Sequence, residues 1–532
     1  MNVHLVFPAR DLDVTAPLPW GHEAVIADLQ LPPILEVMAG GEALWDRVAR
    51  NALLTPLTDP AVIRYRQAAW GDCLAHPEPV QAWHTLSRDG AAAARRERAG
   101  LFTRRADSIL HASRRAMGLL LSTLRELRAV AEAHRAEFQS AAFQGLTQTL
   151  LHELDGAYLA EVDDELRTLA FPVGVVMSAR LGPGLRSTDQ VVRVEPPPPR
   201  GWSVRRLLRR REDAGSFVVH PRDEAGHRFL GEWKNRGLEG TARALAQSVD
   251  HVLAFLQALE SETAFYLAAL NLYRALVPHG PLALPDLAPV GSRRRLSATH
   301  LWDPSLALQQ RAAPVPNDVE AHDARLLVIT GANRGGKSTL LRALGTAQLL
   351  MQAGLFVPAA SWHTAIASGV LTHFQREEDR ELAHGKLDEE LGRLRDLIDH
   401  LTPEGLVLAN EPFQSTNEGE GSAIGTQVIG ALVDSGVHVH LVTHLYELAS
   451  SLQSTYPTAA FLRAGPPDGP AGPFVLYPGA PEPTAYAEPL YRRLFGEAPP
   501  ERQPPHAEPV RPATVSQNPR LDTIGVTRCP HR

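Results

Sequence analysis

Residues 324–345 read ARLLVITGANRGGKSTLLRALG, and this stretch decides how the second half of the chain folds. The short apolar run before Gly331 predicts a buried strand, and residues 337–353 predict a helix. Between them, Gly331–Ser338 fits the pattern G-x-x-x-x-G-K-[ST] in the strand-to-helix context that a phosphate-binding loop requires. Further strands and helices alternate after it, so the sequence predicts an α/β domain with a largely parallel sheet.

The residues of this loop predict how it holds a nucleoside triphosphate. Glycines let the backbone wrap a phosphate with its N–H groups, and Lys337 reaches the β- and γ-phosphates. The Ser338 hydroxyl is placed to ligate Mg²⁺ at a helix N-terminus. The predicted nucleotide-binding residues are Gly331, Ala332, Asn333, Arg334, Gly335, Gly336, Lys337, Ser338 and Thr339. The predicted cofactors are ATP and Mg²⁺.

A second strand, GLVLANE, delivers Asn410 and Glu411 at its C-terminal end, the edge where open α/β sheets place their ligands. Asn410 is neutral but accepts a hydrogen bond from a metal-bound water, and Glu411 has the carboxylate that a general base requires. His444 follows another strand and is placed to donate to a γ-phosphate oxygen. We predict Lys337, Glu411 and His444 as catalytic, and Ser338, Asn410 and Glu411 as Mg²⁺ ligands, partly through water. The alternative is that Glu411 and His444 are only structural.

The chain upstream of the loop is mainly helical in pattern. Short amphipathic segments fill residues 31–101, and apolar spacing predicts long helices over 101–138 and about 237–276. Strand-like pieces lie between them, at 169–179, 190–199 and 215–221. We predict an antiparallel helical arm with a small mixed tip that carries the arginine run Arg205–Arg211. The alternative is a plain bundle whose arginines form a solvated face.

Composition excludes some classes of protein. The 532 residues are 44% hydrophobic and 21% charged, as in an ordinary soluble protein, and no apolar run approaches the roughly 18 residues that span a bilayer. Cys73 and Cys529 support neither a disulfide framework nor a cysteine metal site. The first residues lack the pattern of a secretion signal. We therefore expect a cytoplasmic protein with no membrane partner, and the net charge of −7 argues against a uniformly basic surface.

Four segments in order resemble motifs of one family. TGANRGGKSTLLRALG, GLFVPA, LVLANEPFQSTNEGEG and VTHLYEL resemble TGPNMGGKST, GxxVPA, LxLxDExxxGTSTxDG and ATHYxEL of the MutS-family ATPase domain. That family comprises DNA mismatch-repair ATPases related in plan to ABC-type nucleotide-binding domains. The resemblance implies that Asn333 contacts the nucleotide and Ser338 the Mg²⁺. It also implies that Glu411 contacts the hydrolytic water and His444 the γ-phosphate.

The resemblance also implies a homodimer, because the family pairs two ATPase domains so that a Gly-x-Ser-Thr-type segment of one subunit closes the site of the other. AHGKLDEELGRL resembles that segment, with Gly385 and Lys386 matching and the Ser-Thr absent. PVPNDVE resembles the entry segment of the domain but lacks the aromatic residue that stacks on adenine. Weaker base selectivity is therefore expected.

Upstream, PLTDPAVIRYRQ resembles the start of the family's helical core, and the long helices resemble its lever arms with a clamp at the tip. The implied fold is an α-helical core and lever region followed by an α/β P-loop ATPase domain, ABC-like and of the MutS domain V type. The predicted parts are a helical core (1–100), lever arms with a clamp-like tip (101–280), the ATPase domain (281–495) and a disordered proline-rich tail (496–532). We expect the mismatch-recognition and connector domains of the family to be missing, because the stretch before the helical core is too short for them. No Phe-x-Glu motif occurs near the N-terminus, so mismatch recognition is not implied.

Three functional hypotheses follow. The first is a homodimeric ATPase whose nucleotide-driven closure moves the arms around double-stranded or branched DNA, with Arg205–Arg211 or Arg293–Arg295 contacting phosphates. The second is a nucleotide-gated dimeric scaffold with little or no turnover and a protein partner. The third, the ATPase subunit of a transporter, is disfavoured by the long helices upstream of the loop.

Overall fold

A computed structural model describes residues 1–99, 105–171, 174–185, 187–193, 218–291, 295–322, 324–375, 386–465 and 472–483. None of the helices within these ranges is long and apolar enough to cross a membrane. The predicted arginine run Arg205–Arg211 and the tail 496–532 lie outside the described residues, as do Arg293, Arg294 and the side chain of Arg295.

Within the described residues the chain is mainly helical up to Leu276, apart from one β-hairpin, and mixed after it, as the sequence predicts. The helices are α1 (His22–Asp28), α2 (Pro32–Ala39), α3 (Ala43–Leu54), α4 (Pro60–Ala75), α5 (Pro77–Ala99), α6 (Ala106–His134), α7 (Ala141–Glu153), α8 (Gly156–Thr168), α9 (Glu224–Leu276), α10 (Pro304–Gln310), α11 (Lys337–Gln352), α12 (Lys386–Ile398), α13 (Glu418–Asp434) and α14 (Tyr446–Thr455). The strands are β1 (Val176–Leu181), β2 (Ser187–Arg193), β3 (Asp286–Ala288), β4 (Arg295–Leu301), β5 (Asn317–His322), β6 (Leu326–Gly331), β7 (Ser361–Ala365), β8 (Val370–Phe374), β9 (Leu406–Asn410), β10 (His438–Val442), β11 (Ala460–Ala464) and β12 (Leu476–Pro478).

A six-stranded sheet in the order β12-β11-β6-β10-β9-β8 forms the centre of the second half. All neighbouring pairs are parallel except β11 with β12, so the predicted, largely parallel sheet is confirmed. Successive side chains of β6 face opposite sides of the sheet. Leu327 and Ile329 join the core that includes α11, and Leu326 and Val328 join the core that includes α13 and α14. Because both faces are covered, the strand is a continuous apolar run rather than an alternating one.

A smaller four-stranded sheet has the strand order β3-β7-β4-β5. Three of its strands precede the phosphate loop in the chain, and β7 follows α11. Strand β5 of this sheet begins at Asn317, whose side chain is buried and bonded in two directions. The Asn317 amide donates to the Phe474 carbonyl at 3.1 Å and accepts from the Leu476 amide at 2.7 Å. The small sheet is therefore tied to the edge of the large one.

The two long helices run in the same direction, which corrects the predicted antiparallel pair. Their N-terminal ends meet where the Ala106 amide bonds to the Asn235 side chain, and further along Leu110 packs with Leu238 and Ala242. The antiparallel partner of both is α5, whose Trp83 indole donates to the Leu127 carbonyl of α6. Helices α7 and α8, which the sequence did not predict, follow α6 in the chain. They lie between the two long helices in sequence, and α9 then runs beside α6 in the same direction.

The second long helix also begins earlier than predicted, at Glu224 rather than near residue 237. Asp223 caps it by accepting from the Gly226 amide at 2.9 Å. Of the strand-like pieces between the arms, two form an antiparallel hairpin of β1 and β2, and residues 218–220 are not a strand. The first half of the helix has a weaker apolar stripe than the second, so spacing alone did not reveal its start.

Helix α11 connects the phosphate loop with the helical region. It starts at Lys337 and is almost wholly buried. At its far end the buried Arg66 guanidinium donates to the Ala353 carbonyl at 3.2 Å and to the Val6 carbonyl at 3.0 Å. The Gln352 side chain donates to the carbonyl of Leu57 at 2.8 Å. These bonds join the end of α11 to α4 and to the N-terminal segment.

The N-terminal segment is held by one buried carboxylate of the lever helix α9. Glu262 is fully buried and accepts from the amides of Val6 at 3.0 Å and Leu12 at 2.6 Å, and also from that of Leu5. The Tyr266 hydroxyl, one turn further, donates to the Leu5 carbonyl at 2.7 Å. The carboxylate thus provides acceptors for buried amides that have no strand partner.

Burial raises the pKa of Glu262 to about 7, so the side chain is mainly ionised at pH 8. At that pH Glu262→Gln is expected to lower the free energy of unfolding by about 2–4 kcal/mol, because its NH₂ group faces amides that need an acceptor. Glu260→Gln, on the same helix and only partly buried, is the matched control, with a change within about 0.5 kcal/mol. Urea unfolding followed by tryptophan fluorescence measures both. Equal stability of the two variants would contradict the role assigned to Glu262.

Candidate functional site

The phosphate loop connects β6 to α11 with a backbone that depends on glycine. Gly331 has φ +115° and Gly336, the N-cap of α11, has φ +85°, both in the region that favours glycine. A Cβ on Gly331 would also stand 2.9 Å from the backbone nitrogen of Ala464 on β11. The loop conformation is therefore specified by the glycines that the sequence motif contains.

Lys337 lies inside this loop with its side chain buried. Its ammonium donates to the carbonyls of Gly331 at 2.9 Å and Ala332 at 3.1 Å, and lies 3.4 Å from Asn333 Oδ1. The Glu411 carboxylate is 3.5 Å away. Burial lowers the pKa of Lys337, and the Glu411 charge offsets part of that shift. The ammonium is thus surrounded by carbonyl, amide and carboxylate oxygens of the loop and of Glu411.

Two neutral oxygen groups meet beside Lys337. Ser338 Oγ donates to Asn410 Oδ1 at 2.7 Å, which joins the first turn of α11 to the end of β9. Hydroxyl and amide oxygens are ligands that Mg²⁺ accepts when phosphates and waters complete its shell. The pair therefore fits a magnesium ion held partly through water, with Asn410 bound either directly as an uncharged ligand or through a metal-bound water.

Glu411 is held by a network that includes His444. Its Oε2 accepts from the His444 amide at 3.0 Å and lies 2.7 Å from His444 Nδ1 and 2.6 Å from Gln414 Nε2. Burial raises the pKa of Glu411, but the His444 hydrogen bond and the Lys337 charge outweigh it, so the net shift is downward. The hydrogen bond to Glu411 raises the pKa of His444. The structure brings Lys337, Glu411 and His444 together, and Gln414 is a neighbour that the sequence interpretation missed.

A cavity of about 560 Å³ opens beside Lys337, Ser338 and Glu411. Its lining includes the loop residues 333–339, Glu411, Asp303 and, from the entry segment, Val315 and Asn317. An aromatic ring does stand in its wall: Phe474, 48% exposed, although the entry segment itself has none. Phe474 reaches the loop only through the pairing of β12, and no local sequence signal indicated it.

The predicted trans-acting segment, residues 383–394, is described from Lys386 onward, where it forms the first part of α12. Gly385 and the side chain of Lys386 lie outside the described residues. Their role stays a prediction.

Two family models match the chain. Residues 58–279 match the MutS2 N-terminal domain, and residues 327–462 match MutS domain V. The chain is a MutS-related protein. The predicted family is confirmed, and the helical region upstream of the loop matches the MutS2 branch of it.

Relatives of this MutS-related protein match over part of their length. DNA mismatch repair protein MutS of Thermus aquaticus is 36% identical over 146 residues, which cover 27% of this chain and 18% of that protein. Endonuclease MutS2 of Geobacillus kaustophilus is 33% identical over 168 residues, 31% of this chain and 21% of that protein. DNA mismatch repair protein MutS of Thermus thermophilus is 34% identical over 196 residues, which cover 36% of this chain and 23% of that protein. The chain thus spans about a fifth of the length of these relatives.

The Glu411–His444 pair predicts a pH dependence of stability. Because the folded pKa of His444 is raised, its contribution is complete below the unfolded value of about 6.5 and is lost as pH rises through the folded value. Glu411, with a lowered pKa, contributes above about pH 4.3. The melting temperature of His444→Gln should therefore fall furthest below that of the wild type near pH 6 and approach it as pH rises through the raised pKa of folded His444.

Thermal unfolding at a series of pH values measures this difference. His322→Gln, at an exposed site on β5, is the control. A difference between His444→Gln and the wild type that stays constant from pH 5 to 9 would refute the ion pair.

Proposed function

We propose that the chain binds ATP with Mg²⁺ in this cavity and hydrolyses it. The observation that carries the proposal is the meeting of Lys337, Ser338 and Glu411 at one cavity, with His444 bonded to the Glu411 carboxylate. These groups come from separate strands and loops, and each has the chemistry that phosphoryl transfer to water requires. Residues 327–462, which include all four of these residues, match the family model of MutS domain V.

In this proposal the residues have distinct tasks. Lys337 exchanges its carbonyl acceptors for phosphate oxygens and orients them. Glu411, kept ionised by Lys337 and His444, orients and polarises the attacking water. His444 lies beside that water and donates to a γ-phosphate oxygen. Mg²⁺, held through Ser338 and Asn410, would supply neutralisation of phosphate charge when bound.

We extend the proposal to the whole chain. Residues 1–100 form the helical core, 101–280 the lever arms with their clamp-like tip, and 281–495 an ATPase domain that pairs with that of a second copy. Closure of the dimer on ATP moves the arms around double-stranded or branched DNA. Relatives named as a DNA mismatch repair protein and an endonuclease support a DNA partner. The continuous hydrogen-bonded path from α11 to α9 supports the coupling.

A scaffold without turnover is the second candidate, and Asn410 favours it. The position offers Mg²⁺ an amide in place of a carboxylate, and the amide oxygen is already bonded to the Ser338 hydroxyl. A weaker metal site would leave ATP as a ligand that pairs two subunits for a protein partner.

Glu411→Gln is expected to lower the rate of Mg²⁺-dependent phosphate release on the order of 100-fold or more, because the amide cannot accept the water's proton. ATP affinity should be retained, since Lys337 and the loop are intact. Glu447→Gln, at an exposed site on α14, is the matched control and should match the wild type. Phosphate release and equilibrium nucleotide binding are measured on the same preparations.

The outcomes separate the two candidates. Phosphate release that vanishes in Glu411→Gln rejects the scaffold. Wild-type protein that binds ATP and dimerises in light scattering but releases no phosphate supports it. Equal turnover in Glu411→Gln and Glu447→Gln would reject Glu411 as the base.

DNA binding is expected to weaken as salt rises, with a slope of log affinity on log salt of about −0.9 for each phosphate bound by an arginine. Titrations against duplex, mismatched and branched DNA, with and without ATP, measure the slope. Replacement of Arg205–Arg211 arginines by Gln should reduce its magnitude by about one for each arginine that binds a phosphate, and the same change at Arg293–Arg295 is the comparison. Absence of binding to every DNA would remove DNA from the proposal.

A further inference from the structure

The segment between β9 and α13 has a backbone that must be held in place. Glu411 has φ +53° and Phe413 has φ +64°, although neither is glycine. Left-handed conformations of such residues cost on the order of 1 kcal/mol each and persist where the surroundings enforce them. Pro412 lies between them, and its fixed φ leaves little freedom to absorb a shift. The placement of Phe413 is therefore transmitted to Glu411.

Phe413 is fixed by its side chain and its backbone. Its ring is buried at 1% exposure, and glycines of α13 make room for it. A Cβ on Gly425 would lie 3.2 Å from the ring, and one on Gly421 would lie 2.6 Å from the Phe413 carbonyl oxygen. The Phe413 amide donates to Glu390 Oε1 of α12 at 2.7 Å.

Glu390 is a buried carboxylate that bonds to this segment and to the strand beside it. Its Oε2 accepts from Ser415 Oγ at 3.3 Å, and Oε1 lies 3.5 Å from His373 Nε2 on β8. Burial raises the pKa of Glu390, but the nearby His373 and the hydrogen bond from the Phe413 amide outweigh it, and the net shift is downward. An ionised acceptor makes a hydrogen bond roughly twice as strong as a neutral one.

Helix α12 does not need this carboxylate to dock. Leu394 and Leu397 of the same helix are buried at 5% and 2% exposure and provide apolar packing. A buried carboxylate costs free energy unless it serves as an acceptor. Its two oxygens bond to the residues that closely follow Glu411, which suggests a task at the site.

We propose that Glu390 is a positioning residue for the Glu411 carboxylate. It holds the Phe413 amide and the Ser415 hydroxyl, and through Pro412 it keeps Glu411 directed toward Lys337 and His444. The inference rests on the proposed hydrolysis of ATP and adds a residue that contacts neither the nucleotide cavity nor the reacting atoms.

The test compares Glu390→Ala, Glu390→Gln and the matched controls Asp396→Ala and Asp396→Asn, at an exposed position of α12 outside the segment 383–394. Glu390→Ala should lower kcat on the order of 10- to 100-fold, since displacement of a catalytic group by about 1 Å has such an effect. ATP affinity should stay within about twofold, because Lys337 and the loop are untouched. Glu390→Gln keeps an acceptor oxygen and the side-chain volume, so it should recover part of the loss.

Hydrogen–deuterium exchange of residues 411–417 is the readout that does not depend on turnover. Exchange should be faster in Glu390→Ala than in either control and intermediate in Glu390→Gln, which also serves if the alanine variant does not fold. Unchanged kcat or unchanged exchange in the Glu390 variants would overturn the inference, as would a loss of ATP affinity that matches the loss of kcat. Wild-type protein without turnover would refute the proposed hydrolysis and this inference with it, whereas turnover insensitive to Glu390 would refute the inference alone.

Discussion

The burial of helix α11 on nearly all sides is the constraint on which the rest of the structure depends. The helix begins in the phosphate loop at Lys337 and ends beside Arg66, with apolar residues around most of its circumference. A helix without a polar face must be covered on every side, here by the large sheet and by the helical region. The loop and the helical region are therefore parts of one core rather than separately packed bodies.

The same constraint explains why charges cluster at the two ends of α11. At its start, Lys337 is surrounded by carbonyl oxygens and the Glu411 carboxylate. At its far end, Arg66 bonds to carbonyls of Ala353 and Val6, and Glu262 of α9 accepts the neighbouring amides. Buried charges persist only where hydrogen bonds compensate for lost hydration. Both ends of the helix are thus specified by polar interactions, and a displacement of α11 along its axis would break hydrogen bonds at both.

The departures from the family motifs have unequal structural consequences. Asn410 remains at the end of β9 and bonds to Ser338, so the strand still delivers an oxygen beside the loop. The acid that follows it, Glu411, keeps four hydrogen-bond donors or cations around its carboxylate. The entry segment lacks the family's aromatic residue. An exposed phenylalanine, Phe474, lines the same cavity.

The sequence alone determined the elements whose physics is local. The phosphate loop follows from its glycines and from the strand and helix around it, and the strands that end at Asn410 and before His444 follow from apolar runs of strand length. Those signals were sufficient to predict Lys337, Ser338, Glu411 and His444 as one site, because parallel strands place their carboxyl ends at one edge of a sheet.

Only the tertiary structure decided which residues far apart in the chain meet. The direction of α6 relative to α9 depends on α7 and α8. The early start of α9 at Glu224 is accompanied by the Asp223 cap and by a hydrogen bond from the Trp233 indole to Ser187 of β2, which apolar spacing does not reveal. Glu262 and Glu390 look like ordinary helical acids in the sequence, because nothing local shows that backbone amides 250 and 23 residues away need an acceptor. Such pairings arise from packing, which brings unpaired donors and acceptors together only after the core has formed.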